Sequence, residues 1–299
     1  MAIEARTQET SVNYSLPFWK RKAVLHRIDM AVILLLLIPI AIATILPLVY
    51  MFSQAFTPED QVRNWPVEYI PREPTLDSFK LLVTWPNLPI MRWMLNSFIV
   101  STSVTALVLT INSLTAYAFG RLEFPGRDFL FIFVLTTLMI PGEVTLIPTF
   151  VIMRRLEWLD TYNALIWPAG AGVFGIFLLR QFFQSIPREL EDAAIIDGCG
   201  KFGTYWRIVL PLSRSALIAL GIFTFLGSWN DLFWPLIALN SNEMRTLPVG
   251  LSILQHEGYT MQGLGMAAAA LTTVPVLILY GIFQRHIIQG VMVTGLTGR

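Results

Sequence analysis

Four stretches of this chain, 30–52, 93–120, 161–179 and 258–284, contain no Asp, Glu, Lys or Arg. Each is about as long as a helix must be to cross a hydrocarbon core about 30 Å thick at about 1.5 Å per residue. In lipid, every backbone N–H and C=O must find its partner within the protein, so only helices and closed barrels can span. Two further stretches qualify if one acid is admitted in each: 129–153 carries Glu143 and 215–242 carries Asp231. The expectation is an all-α polytopic membrane protein with six transmembrane helices. Composition agrees, since 14% of residues are charged and 55% hydrophobic, against about 25% charged in a soluble domain. The apolar run at 30–52 exceeds a signal-peptide core and follows a long polar leader, so it reads as an uncleaved helix.

Lys and Arg set the orientation, because cytoplasmic loops retain them. With both ends inside, the cytoplasmic segments hold 14 and the outer segments 7. The expected layout is a cytoplasmic segment 1–29, a first helix 30–52, an extracytoplasmic loop 53–92, a five-helix core 93–285 and a cytoplasmic tail 286–299. A polar cytoplasmic loop at 184–212 interrupts the core. Several chemistries drop out. A net charge of +1 supplies no field for nucleic acid. One cysteine, Cys199, excludes an intrachain disulfide and a cysteine zinc cluster, and His26, His256 and His286 share no metal-ligand spacing. There is no nucleophile–base pair and no phosphate-cradling glycine loop.

The cytoplasmic loop carries the most information. Ser185 is positioned to cap a helix whose first turn holds Pro187 and Glu189, and Glu189, Glu191 and Asp192 complement its positive end. Leu190, Ala193, Ala194 and Asp197 follow at helical spacing, and Gly198 ends the helix in the left-handed conformation. A second amphipathic piece contains Phe202, Tyr205, Trp206 and Val209 before Pro211 re-enters the membrane. Ala193 and Ala194 together form a small face that a partner can approach closely. An acidic helix is repelled by anionic lipid, so a protein partner is expected rather than headgroups.

Asp192-Ala193-Ala194-x-x-Asp197-Gly198, followed by Ile208-x-Leu210-Pro211, resembles the EAA loop of permease subunits of ATP-binding-cassette importers. Pro187-Arg188-Glu189-Leu190, Ile140-Pro141-Gly142-Glu143, the run Ser228 to Leu236, and Gln284-Arg285 with Gly290 look like the maltose-type second permease of carbohydrate importers. Asp192 departs from the usual glutamate. Gly298-Arg299 ends the chain where relatives often continue, which weakens a docking role for the tail. The resemblance implies a coupling helix seated on an ATPase dimer, contacted through Glu191, Asp192, Ala193, Ala194, Asp197, Gly198, Leu210 and Pro211. It implies a homologous second permease, an extracytoplasmic solute-binding protein and a bacterial or archaeal cytoplasmic membrane. No cofactor is expected on this chain; ATP and magnesium belong to the ATPase. The chain itself is then not an enzyme. The alternatives are the same architecture importing glycerol phosphate or another small polar solute, or an intramembrane enzyme or scaffold.

Ionisable groups inside spans are costly and mark function by default. Glu143 and Asp231 therefore either line a substrate path or brace bent helices, and Trp229, Asn230 and Trp234 share that ambiguity. Trp65, Trp93 and Trp158 read as interface anchors. Asn96 and Asn112 read as interhelical hydrogen-bonding groups, and Cys199 as a small filler.

Overall fold

The computed structural model describes residues 22–66, 68–85, 88–170, 172–256 and 261–296, and every regular element among them is helical. Most of the leader at 1–29 and the last three residues of the tail lie outside this set. Helix α1 (Lys22–Ala55) contains Pro39 and Pro47, and its side chains from Ile33 to Val49 are exposed. The described residues up to Met51 form one unit and those from Phe52 onward another.

In the second unit, α2 (Asp77–Thr84) lies in the polar loop, and α3 (Ile90–Arg121) is the central element. At 32 residues, α3 is about 48 Å long. Its buried positions recur every three or four residues, from Trp93 through Asn96, Val100, Val104, Val108, Asn112 and Ala116 to Gly120. That periodicity points one face at neighbouring protein. The rest of the chain comprises α4 (Arg127–Thr136), α5 (Gly142–Arg155), α6 (Tyr162–Ala169), α7 (Val173–Gln184), α8 (Arg188–Ile196), α9 (Lys201–Thr204), α10 (Leu210–Leu212), α11 (Arg214–Trp229), α12 (Phe233–Ala238), α13 (Leu247–His256) and α14 (Gln262–Leu296). Helix α3 packs against α6, α7, α11 and α13, while α14 packs against α2, α11 and α13.

Three helical segments are individually long and apolar enough to cross: Ile33–Ala55, Ile90–Arg121 and Gln262–Gln284. The other expected spans are broken. Helices α4 and α5 meet at 99°, because Pro141 cannot continue a helix and pushes Ile140 into an extended conformation. Helices α6 and α7 meet at 42°. The fifth expected span is helical only from Arg214 to Trp229 and resumes as the short α12. The segment Lys201–Leu212 turns 78° into α11 at Ser213, two residues beyond Pro211. Pro211 lacks the N–H that would reach back one turn, and its ring crowds that carbonyl. The preceding turn, Tyr205–Val209, is a widened π turn that gives the chain room. The described residues thus contain three unbroken spans, or six if each bent pair crosses once.

Buried amides tie the breaks to α3. Asn112 donates to Gly172 O at 2.7 Å, at the α6–α7 junction. Asn96 donates to Glu243 O and Arg245 O at 2.7 and 2.9 Å and accepts from the Tyr162 hydroxyl at 2.7 Å. Both meet the expectation of bonds between elements. Trp93 does not act as an interface anchor: it is 2% exposed, and its indole donates to Asn242 O. Gly250 explains this burial, since a Cβ there would stand 2.0 Å from Trp93 Cε3, so α13 admits the ring only because residue 250 has no side chain. In the polar loop, Glu59 accepts from the amides of Gln262 and Gly263, both at 2.8 Å, and so caps the start of α14.

Candidate functional site

The polar segment at 184–212 folds as two short helices joined at Gly198, whose φ of +85° lies in the left-handed region that glycine favours. Ser185 does not cap the first of them. Its hydroxyl donates to Phe182 O and closes α7, while Pro187 stands at the start of α8. Proline fits there because the first helical amides have no partner to lose.

The faces of α8 also differ from expectation. Ala194 is 6% exposed and packs inward, so the two alanines do not form a common outer face. Ala193 is exposed, together with Glu189, Leu190, Asp192, Ile195, Ile196 and Asp197. Glu191 also turns inward, its carboxylate 2.9 Å from Arg121 Nε at the end of α3. Helix α8 packs against α9 and the π turn, where a small inward side chain fits a close contact, and Glu191 turns inward to meet the Arg121 charge. In the second piece, Tyr205 and Val209 are buried, whereas Phe202 and Trp206 are 68% and 63% exposed. Leu210 is half-buried against the bundle, and Pro211 is exposed. The outer surface is therefore a patch of bulky apolar side chains edged by acids, and not a small-residue stripe. Exposed apolar groups rimmed by polar ones mark interaction sites.

Within the membrane region, a cavity of about 380 Å³ opens between α3, α6, α11 and α12. Thr224, Ser228, Asp231, Trp234 and Thr246 supply its polar lining, and Val100, Val104 and Leu165 its apolar wall. Asp231 faces the backbone amides of Phe233 and Trp234, freed by the break before α12. The same carboxylate thus braces a bent helix and lines a cavity. Trp234 donates to Ala164 O at 2.8 Å, leaving its ring at the cavity. Thr246 is 3% exposed and its hydroxyl has no partner among the described residues.

The other membrane candidates lie elsewhere. Trp229 is 1% exposed, stacks on Phe225 and donates to Thr272 O, and it lines a separate apolar cavity with Phe98 and Phe225 rather than the one at Asp231. Asn230 bonds to Leu226 O of its own helix. Glu143 is exposed at the start of α5 and does not line the cavity. Between α5 and α6, Asp160 Oδ1 accepts from the amides of Asn240 and Ser241 and from the Ser241 hydroxyl, each at 3.0 Å. Burial raises the pKa of this carboxyl, but the bonds from Ser241 and Asn240 outweigh it and hold the group below the ordinary carboxylate range.

Residues 112–293 match the family described as binding-protein-dependent transport system inner membrane components. This chain belongs to that family. The permease is 37% identical over 261 residues to the arabinooligosaccharide transport permease AraQ of Halalkalibacterium halodurans, a match covering 87% of this chain and 93% of that one. It is 32% identical to the trehalose/maltose transport permease MalG of Thermococcus litoralis (93% and 99% covered). It is 35% identical to the sn-glycerol-3-phosphate transport permease UgpE of Salmonella typhimurium (85% and 92%). Its fold is that of a crystallised bacterial ABC transporter involved in alginate import, with TM-score 0.78 and 24% identity over 90% of this chain and 99% of that one. The permease is thus a multi-pass membrane component of an ABC importer, a transport subunit and not an enzyme. Sequence reasoning singled out the polar segment at 184–212 but did not name Arg121, Thr224 or Thr246 as site residues. Arg121 counted only toward orientation, although its spacing from Ser113 and Tyr117 puts all three on one face of α3.

Proposed function

We propose that this permease imports a neutral sugar or oligosaccharide, pairing with a homologous second permease and receiving substrate from an extracytoplasmic binding protein. A cytoplasmic ATPase dimer docks on the surface formed by Ile195, Ile196, Phe202 and Trp206 with Asp192 and Asp197. Both termini are cytoplasmic in this arrangement, in keeping with the distribution of Lys and Arg. The observation that carries the docking reading is that outer surface: Ile195, Ile196, Phe202 and Trp206 are all more than half exposed on a segment anchored to the bundle through Ala194, Tyr205 and Val209. ATP drives transport only if it binds one arrangement of the complex better than the other, so the ATPase must grip this surface while the bundle changes.

The cavity beside Asp231 supports the choice of cargo. Its polar groups are hydroxyls, one carboxylate and one tryptophan, and no Lys or Arg lines it. Hydroxyls and a carboxylate suit the hydroxyl groups of a sugar, and an aromatic ring suits its apolar face. A phosphate would meet the Asp231 carboxylate with no cation to offset the repulsion. Glycerol phosphate, carried by one relative's system, therefore fits this chain less well. The test is affinity purification of the complex through a tag on this chain, with thermal shift of the co-purified binding protein. A second permease, an ATPase and a binding protein stabilised by neutral oligosaccharide are expected. A preparation lacking an ATPase refutes the docking reading, and a binding protein stabilised only by phosphorylated solutes refutes the cargo.

A further inference from the structure

Helix α3 ends in a polar stripe that reaches the cytoplasmic segment at three successive turns. The Ser113 and Tyr205 hydroxyls are 2.8 Å apart. The Tyr117 hydroxyl donates to Lys201 O at 3.0 Å. Arg121 pairs with Glu191 at 2.9 Å and also donates to Ile186 O. These α3 positions are four residues apart, one above another on a single helix face. Together they hold α8, α9, the π turn and the end of α7. An apolar layer of Leu179, Phe183, Tyr205 and Val209 closes around the same face.

The ion pair is the distinctive member. The Arg121 and Glu191 side chains are 4% and 14% exposed. Desolvating two charges offsets much of their attraction, so a buried pair is a poor means of gaining stability alone. What such a pair does supply is a definite register, because each charge left alone in that environment is strongly disfavoured. Hydrophobic contacts let a short surface helix slide on its seat, whereas a charge pair at its first turn does not. Glu191 stands on α8 next to Asp192, which faces outward.

We propose that Arg121 is a positioning residue for coupling: through Glu191 and Ile186 O it locks the ATPase-facing segment to α3, so that displacement of the segment becomes displacement of α3. The proposal rests on the docking reading above and adds the route by which movement leaves the docked surface. Helix α3 is suited to receive it, because it contacts α6, α7, α11 and α13 and carries Val100 and Val104 of the cavity wall. One rigid element then joins the cytoplasmic surface to the membrane cavity.

The experiment uses the whole complex in proteoliposomes, with uptake and ATP hydrolysis measured on the same vesicles. Arg121→Gln and Glu191→Gln are each expected to lower the number of substrate molecules moved per ATP by about fivefold or more. Arg121→Lys, which keeps the charge opposite Glu191, should stay within about threefold of the parent. A purely structural role would reduce the yield of complex and leave the ratio unchanged. The proposal is overturned if both glutamine variants keep the parental ratio, if Arg121→Lys uncouples as fully as Arg121→Gln, or if Glu191→Gln releases the ATPase. Should neither glutamine variant insert, Tyr117→Phe removes only the Lys201 bond and should lower the ratio about twofold; an unchanged ratio there also overturns it. Ile196→Asp tests the docking reading separately. If that variant retains the ATPase and couples normally, the docking reading fails whatever the Arg121 variants do.

Discussion

Replacing Thr246 by valine asks whether the membrane cavity carries substrate. The two side chains have nearly the same shape, so the exchange removes one hydroxyl and little else. That hydroxyl is buried and unpartnered among the described residues. Burying such a group without a hydrogen bond costs about 1–3 kcal/mol, and water in a polar cavity recovers part of this. Thr246→Val should therefore leave the resting permease as stable as before, or more stable by up to about 2 kcal/mol. A sugar hydroxyl bonded to Thr246 during passage contributes a net of about 0.5–1.5 kcal/mol, which corresponds to about a two- to twelvefold change in transport. The expected result is an unchanged or raised melting temperature in detergent, with uptake at saturating loaded binding protein reduced within that range. Ser101→Ala is the control, because Ser101 is also buried and unpartnered but does not line the cavity. It should leave uptake unaltered. A lowered melting temperature with normal uptake for Thr246→Val would refute the reasoning, since the hydroxyl would then hold the fold and not meet cargo.

Gly175→Ala puts a Cβ 2.2 Å from Asn112 Nδ2 and 2.9 Å from Leu220, a misfit expected to cost about 1–3 kcal/mol; adding Asn112→Ala should recover about 1 kcal/mol of it in thermal melts of the purified subunit. Asp160→Ala should loosen the outer loop around Asn240 and Ser241, measured as faster protease nicking there. Because the folded pKa of Asp160 is lowered, its contribution is present above the unfolded value of about 3.9 and is lost as pH falls through the folded pKa. The stability gap between parent and Asp160→Ala should therefore close as pH drops below about 4. Gly198→Val forces a β-branched residue to φ +85°, costing about 1 kcal/mol or more. It should leave the subunit inserted while uptake falls; Asp192→Glu, on the exposed edge, should be mild by the same uptake assay.

The helices were legible in the sequence wherever apolar runs were unbroken, because a lipid-crossing segment admits so few alternatives. Proline alone did not tell where a helix breaks, since Pro39 and Pro47 sit inside the continuous α1, nor by how much. Pro141 became a 99° corner, while the strain of Pro211 spread through a π turn into a 78° bend at Ser213. Such outcomes depend on what α3 offers to the freed backbone groups, as Asn112 does for Gly172, and a local pattern does not contain that information.

Helix α8 shows the same limit on the functional side. Helical spacing correctly ended α8 at Gly198, but it could not say which face turns inward when both faces meet protein. Alanines suit either a partner cleft or a close contact within the segment, and acids suit either a partner's cations or Arg121. Far-separated chemistry resolved both choices: Arg121 drew Glu191 inward, and Ala194 went with it. What remained outside were Ile195 and Ile196, large apolar side chains that are costly to leave in water. Residues that a helix leaves exposed after satisfying its own bundle are therefore better pointers to the proposed docking surface than the small residues that first suggested it.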